Sequence, residues 1–262
     1  MFSVGIIGGT GVYDPAILND IEDHVIETDY GDAAVKLGNY KGFPVAFMAR
    51  HGENHSVPPH LINYRANIKA FQQLGVKRII STAAVGSLNF DFKPGSLIIV
   101  NQFLDFTRGR NCTFYDGGKN GVVHVDVTEP YCPEIREALY NSAKSLDIEV
   151  FDGGTYVCTE GPRFETGAEI KMFKLLGGDV VGMTAVPEVV LARELGICYA
   201  TVAVVTNYAA GIVPGRLTHS EVVGYMRENV INIRNTIMHA VNIIPQNPQC
   251  TCGHILKEIG AE

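Results

Sequence analysis

Residues Val180–Val205 read VVGMTAVPEVVLARELGICYATVAVV. Two β-branched apolar runs, Val180–Met183 and Cys198–Val205, flank a segment over Pro187–Leu195 that reads as a helix. Side chains stiff at χ1 suit a pleated strand, so the flanking runs predict strands. The alternation continues outward. Strands are predicted at Ser3–Ile7, Val45–Ala49, Arg78–Thr82, Leu97–Val100 and Thr155–Cys158, and helices at Leu61–Leu74, Pro133–Leu146, Gly167–Leu176 and Ser220–Ile243. In the last helix Val222, Met226, Val230, Ile233, Ile237 and Val241 recur at steps of three or four, the helical period. Thr218 and Glu221 form a T-x-x-E capping pair ahead of it, and Pro245 and Pro248 follow its end. Strands alternating with amphipathic segments predict an α/β fold.

The chain has 262 residues, of which 46% are hydrophobic and 19% charged, so it can fill a sizeable core and wholesale disorder is excluded. Lys and Arg number 21 against 28 Asp and Glu, a net charge of −7. That balance excludes a general nucleic-acid binder, which needs a basic face, but not a site for a single anion. The longest apolar run, Ile197–Val205, is far short of the ~20 residues of a membrane helix. The opening MFSVGIIGGTG lacks the basic region of a signal peptide, so a cytoplasmic protein with no membrane partner is expected. No repeat or linker divides the chain. One domain over 1–245 is expected, followed by a tail over 246–262 that reads as polar and disordered despite its Cys250-Thr251-Cys252 motif. Cys112, Cys132, Cys158 and Cys198 are scattered singly, as reduced thiols would be, and no His or Cys falls at zinc spacing, so no metal is expected. Arg108–Val125 is polar and glycine-rich and predicts a long loop.

Five segments carry residues with chemistry. Gly5–Gly11 (GIIGGTG) ends the first strand. Its glycines and the Thr10 hydroxyl serve equally as a tight turn or an anion site, and it is neither a dinucleotide fingerprint nor a P-loop. Arg50-His51-Gly52 ends another strand, where a guanidinium fork can face phosphate or carboxylate, or simply lie at the surface. Ser81–Ser87 (STAAVGS) ends a third in small residues that admit a ligand or merely pack closely. Glu160–Thr166 (EGPRFET) sets Phe164 beside Glu165. A planar base can stack on the ring while the carboxylate accepts from a ring N–H; the alternative is a loop with an acid near the next helix. Thr206–Gly211 (TNYAAG) closes the longest apolar strand with Asn207, an amide suited to the O6 and N7 of a purine, or to a turn. Ligands of α/β sheets sit at the carboxyl ends of strands, so these segments gain weight together.

GIIGGTG, ARHG, FYDGG (Phe114–Gly118), EPYCP (Glu129–Pro133), EGPRFET, GMTAVPEVVLARELGICYA (Gly182–Ala200) and TNYAAG, in that order, resemble the trimeric purine nucleoside phosphorylase family, in wording most like its methylthioadenosine phosphorylase branch. The resemblance covers residues 3 to 243 and implies a single α/β domain with a central mixed β-sheet surrounded by helices. It puts phosphate on Thr10, Arg50, His51, Ala84 and Thr184, ribose against Met183, and the base near Phe164. The branch usually has Thr before that alanine; this chain has Ala83.

At the base site the sequence departs from the branch. Adenine-specific members carry T-D-x-D where this chain has Thr206-Asn207-Tyr208-Ala209, and Ser where it has Glu165. Glu and Asn are the pair of 6-oxopurine phosphorylases, because a carboxylate accepts N1–H but repels the N1 lone pair of adenine. His219 matches in spacing the histidine that contacts a 5′-hydroxyl in those enzymes, though it is also simply the first residue after the Thr218 cap. The resemblance therefore implies phosphorolysis of inosine or guanosine to free base and ribose 1-phosphate. Asn207 and Glu165 would be the catalytic pair, with inorganic phosphate as co-substrate and no cofactor or metal. Methylthioinosine or methylthioadenosine phosphorolysis, and a purine sensor without turnover motivated by Ala83, remain alternatives. The family also implies a homotrimer or dimer of trimers, with Phe114, Tyr115 and His124 reaching a neighbouring site. The C-x-C tail resembles the ends of archaeal methylthioadenosine phosphorylases, in which positions resembling Cys132 and Cys198 are cross-linked; spacing alone establishes no disulfide here.

Overall fold

The alternation of strand and helix around Val180–Val205 runs along the chain. The computed structural model describes residues 4–9, 12, 18–52, 55–215, 218–245 and 247–258, the side chains of 219, 221, 257 and 258 excepted. Strands β1 (Val4–Gly8), β2 (Asn19–Thr28), β3 (Gly31–Tyr40) and β4 (Phe43–Ala49) precede helix α1 (Tyr64–Gln73). Strands β5 (Arg78–Ser87), β6 (Leu97–Ile99) and β7 (Gln102–Phe106) lead to helix α2 (Pro133–Ser145). Next come β8 (Val150–Asp152), β9 (Thr155–Thr159), α3 (Gly167–Leu175), β10 (Val180–Gly182), α4 (Ala185–Glu194) and β11 (Cys198–Tyr208). Helices α5 (His219–Ile243) and α6 (His254–Glu258) follow.

All these strands join one mixed sheet, with the path β2-β3-β4-β1-β5-β10-β9-β7 and a branch in which β11 pairs with β5 and β6, and β6 with β8. Helices cover both faces, as expected. Along β11, Tyr199, Ala203 and Val205 enter a core with α1 and α4, whereas Cys198, Ala200, Val202 and Val204 enter a second core with α2 and α5. The period of two sends alternate side chains to opposite faces, and both faces are dry, so the strand reads as an unbroken apolar run. The stripe predicted on α5 packs inward: Met226, Ile233, Ile237 and Val241 are buried. The Glu221 half of its capping pair lies outside the described side chains.

Three expectations are corrected. The β2–β3 hairpin, β7 and β8 were not anticipated: β2 reads NDIEDHVIET and is exposed along most of its length, so it lacks the alternation that marks a strand. β5 continues to Ser87, five residues beyond its predicted end, because pairing with β11 along its whole length overrides the weak strand preference of Ala and Gly. The tail is not disordered where described. Cys252 is buried, α6 forms, and the Leu256 side chain packs against Gly196. No helix among the described residues is long and apolar enough to cross a membrane.

Candidate active site

Strands β1 and β10 meet the same edge of β5 from opposite directions. β1 pairs in parallel as far as Ile7 opposite Ser81, and β10 pairs antiparallel through Val180 with Ser87 and Val181 with Gly86. Their carboxyl ends converge on Thr82–Val85, an edge that neither strand covers. A break of this kind in strand order is where α/β sheets leave room for ligands. A cleft of about 350 Å³ opens there.

One end of the cleft is polar. The Gly9 N–H donates to Thr82 Oγ1 at 2.7 Å, and a Cβ on Gly9 would stand 2.6 Å from the Thr82 carbonyl oxygen, so only glycine allows this approach. Arg50, immediately after β4, is buried together with Glu188 of α4. Its Nε and Nη2 donate to the two carboxylate oxygens at 2.5 and 2.8 Å, and Nη1 donates to the Thr82 carbonyl at 2.8 Å. A guanidinium has five N–H donors, so two remain. Glu188 is held in turn by the Tyr199 hydroxyl, which donates to it at 2.8 Å and so accepts from the Ser81 hydroxyl at 2.7 Å. His51 bonds through Nδ1 to the Val57 carbonyl at 2.9 Å, which requires the proton on Nδ1 and leaves Nε2 as an acceptor in the neutral ring. Burial, with help from the Arg50 charge, pushes its pKa down to about 4. His55 lies 4.3 Å from it, ring to ring. Ala84 of β5 and Thr184, whose N–H donates to Tyr156 Oη at 3.2 Å, line the same cleft.

Phe164, Glu165, Met183 and Asn207 also line it. Glu165 follows β9 on a loop made rigid by its continuation. Thr166 and Glu169 close a reciprocal capping box on α3, and Arg163 grips Glu169 at 2.7 and 2.9 Å. Thr159 Oγ1 donates to Glu165 Oε1 at 2.6 Å, and burial raises the pKa of the Glu165 carboxyl. Phe164 remains 38% exposed, an apolar ring at the lip. Asn207 follows a shift in the β5–β11 register between Val205 and Asn207, a bulge that re-aims its side chain. Its Oδ1 accepts from Thr206 Oγ1 and its Nδ2 donates to the Tyr208 carbonyl, both at 2.8 Å, leaving one amide hydrogen and one lone pair.

Eight predicted positions therefore share one cleft: Arg50, His51, Ala84, Phe164, Glu165, Met183, Thr184 and Asn207. Thr10 lies outside the described residues. His219 begins α5, and its side chain is likewise outside the description. Phe114 is corrected: it is buried in its own chain against Tyr30, at 5.2 Å between centroids, because Glu194 draws its loop inward by accepting from Thr113 Oγ1 and the Phe114 N–H. Glu188, Tyr199 and Tyr156 were missed. A carboxylate inside the apolar run AVPEVVLA was the available sign, since a buried Glu needs a cation.

The sequence pattern of the phosphorylase superfamily matches residues 3–242. The chain is 56% identical over 259 residues to a Thermococcus kodakarensis protein named "Probable 6-oxopurine nucleoside phosphorylase", covering 97% of each. It is 53% identical over 259 residues to the 6-oxopurine nucleoside phosphorylase of Pyrococcus furiosus, again covering 97% of each. Among solved structures, methylthioadenosine phosphorylase from Schistosoma mansoni in complex with adenine superposes with a TM-score of 0.92 at 32% identity, covering 99% of this chain and 97% of that one. With the superfamily pattern matched over residues 3–242 and more than half of its residues identical to relatives along nearly its whole length, the chain belongs to the phosphorylase superfamily.

Proposed function

We propose that this protein cleaves 6-oxopurine nucleosides with inorganic phosphate, releasing hypoxanthine or guanine and ribose 1-phosphate. The bond from the anomeric carbon to the purine nitrogen breaks, a carbon–oxygen bond to phosphate forms, and the proton lost by phosphate appears on the purine. The observation that carries the reading is a buried carboxylate, Glu165, and a carboxamide, Asn207, lining one cleft with Arg50. Ionised Glu165 accepts N1–H of a 6-oxopurine and the 2-amino group of guanine. Opposite adenine the same carboxylate meets a lone pair, a mismatch able to discriminate by ~10⁴-fold. Asn207 offers its remaining amide hydrogen to the purine as negative charge spreads into the leaving base. Phosphate lies on Thr10, Arg50, His51, Ala84 and Thr184, held by preorganised polar groups, with His51 Nε2 able to accept a phosphate O–H, beside the positive ribose that develops in the transition state. Phe164 stacks on the base, Met183 packs against the ribose, and His219 meets the 5′-hydroxyl. Val222, three residues later and so on the same helical face, lines the cleft, which supports that last assignment.

The reaction needs no cofactor or metal in the cleft, phosphate being a co-substrate. The protein acts in the cytoplasm as a homotrimer or a dimer of trimers, with neither nucleic acid nor membrane as partner. A second reading, phosphorolysis of a methylthio nucleoside, is favoured by the likeness to the methylthioadenosine phosphorylase structure and opposed at Glu165 and Asn207. Base release from inosine, guanosine, adenosine and their 5′-methylthio forms, with and without phosphate, tests both. Phosphate-dependent turnover of inosine or guanosine is expected. Turnover of adenosine alone would overturn the base assignment, a strict need for the methylthio group would favour the second reading, and no turnover of any nucleoside would make the protein a purine sensor.

A further inference from the structure

Three stretches that the chain keeps far apart, carrying Cys132, Cys198 and the Cys250/Cys252 pair, meet on the side of the sheet covered by α2 and α5. The Sγ atoms of Cys132, Cys198, Cys250 and Cys252 all lie within 4.8 Å of one another, and those of Cys198 and Cys250 are 3.4 Å apart. A tetrahedron of thiolates around zinc, with bonds of about 2.3 Å, has an edge of about 3.8 Å. A disulfide instead draws two sulfurs to about 2.05 Å and has no need of a second pair at equal reach.

The backbone holds the arrangement in place. The Cys132 N–H donates to the Tyr199 carbonyl at 2.8 Å, setting Cys132 beside Cys198 at the start of β11. Cys132 also occupies the N-cap position of α2, which fixes it at the start of that helix. The tail brings the other two sulfurs: the Gln249 N–H donates to Glu134 Oε1 of α2 at 2.5 Å, and Leu256 of α6 packs on Gly196. Cys132, Cys198 and Cys252 are buried, so the sulfurs are largely shielded from solvent. The expectation of no metal rested on spacing along the chain, and folding removes that ground.

We propose that Cys132, Cys198, Cys250 and Cys252 form a tetrathiolate site for one soft divalent ion, zinc by its donor chemistry, which clips the C-terminal tail to α2 and β11. The site is structural. Asn207 lies nine residues along β11 from Cys198, about 30 Å away at ~3.3 Å per residue. The test uses the full-length protein purified with reductant and without chelator. Elemental analysis should find one zinc per chain, and a chelator should release it while making four more thiols reactive. Cobalt added to the metal-free protein should give the intense thiolate-to-metal absorption of a sulfur-coordinated ion. The double variant Cys250→Ser/Cys252→Ser should lose that absorption and unfold at a lower temperature, with turnover unchanged. A native mass four hydrogens light with no metal would mean two disulfides and overturn the proposal. Free thiols that take up neither zinc nor cobalt would overturn it equally, and both of these readings come from the wild-type protein alone.

Discussion

Glu188→Gln tests the central electrostatic claim about the site, that a buried carboxylate fixes the guanidinium at its polar end. Both side chains are almost fully buried, at 1% and 0% exposure for Arg50 and Glu188. Gln keeps the shape but removes the charge, leaving Arg50 a buried cation with one neutral acceptor and the Thr82 carbonyl. Breaking such a pair costs ~3–5 kcal/mol, and the surviving hydrogen bond puts this variant at about 3. For a domain of this size each kcal/mol lowers Tm by ~2–4 °C, so a fall of ~6–12 °C is expected in phosphate-free buffer. Turnover should report the same change differently. Arg50 loses the fork that aims its last two N–H groups, and losing one charge-assisted hydrogen bond, ~1.5 kcal/mol, raises KM for phosphate at least tenfold. KM for the nucleoside at saturating phosphate should hardly move. The double variant Arg50→Met/Glu188→Leu removes both charges, so it should melt above Glu188→Gln while binding no phosphate. If Glu188→Gln melts within about 2 °C of wild type, or its KM for phosphate is unchanged, Glu188 does not hold Arg50 and the reasoning fails.

Asn207→Asp should shift preference from inosine toward adenosine, because an acid at this position can accept from a 6-amino group; an unchanged ratio of kcat/KM values would show that residue 207 does not face the base. The depressed pKa of His51 makes a stability prediction: between pH 6.5 and about 4 the unfolded chain binds a proton that the folded ring refuses, so this contribution to stability is present above pH 6.5 and lost as pH falls to 4. Its full size is ~3 kcal/mol, and urea unfolding of wild type against His51→Gln should diverge across that window; parallel curves would refute the burial argument. Gly182→Ala would set a Cβ 2.2 Å from the Tyr156 hydroxyl, on a ring too buried to retreat. A loss of ~1–3 kcal/mol is expected together with a raised KM for phosphate, since Tyr156 accepts from the Thr184 N–H; a wild-type Tm would show that the ring has somewhere to go.

What the sequence made legible divides along physical lines. Strands dry on both faces, such as β11, announce themselves as apolar runs, and α5 does so through its period. β2 does not, because its charged residues face water on both sides and only pairing with β3 makes it a strand. The residues that would touch ligand were readable because their chemistry is unusual at strand ends: an arginine after an apolar run, or an amide closing one. Their supports were not. Nothing local links Glu188 to Arg50 or Tyr199 to Ser81, and these pairings exist only once three strands and a helix have docked. The same holds for the cysteines, which lie in three separate stretches of sequence and are gathered by β11, α2 and the tail.

The Arg50–Glu188 pair also changes what the negative charge of the chain means for the proposed reaction. At first sight an acidic protein binds phosphate by keeping one local positive spot. The site does less than that: the guanidinium charge is already matched by a carboxylate at 2.5 Å, and burial keeps His51 neutral at neutral pH. The attraction left for phosphate is therefore mostly directional, arising from the two spare Arg50 N–H groups and from the neighbouring donors. A lone buried arginine would pull harder on an anion, but it would also lie wherever its flexible stem allowed. Glu188 forgoes some of that pull and fixes the fork in one plane. Phosphorolysis gains from the fixed geometry, because the nucleophile must meet the anomeric carbon along one line and a misplacement of 1 Å can cost ~10²-fold in rate.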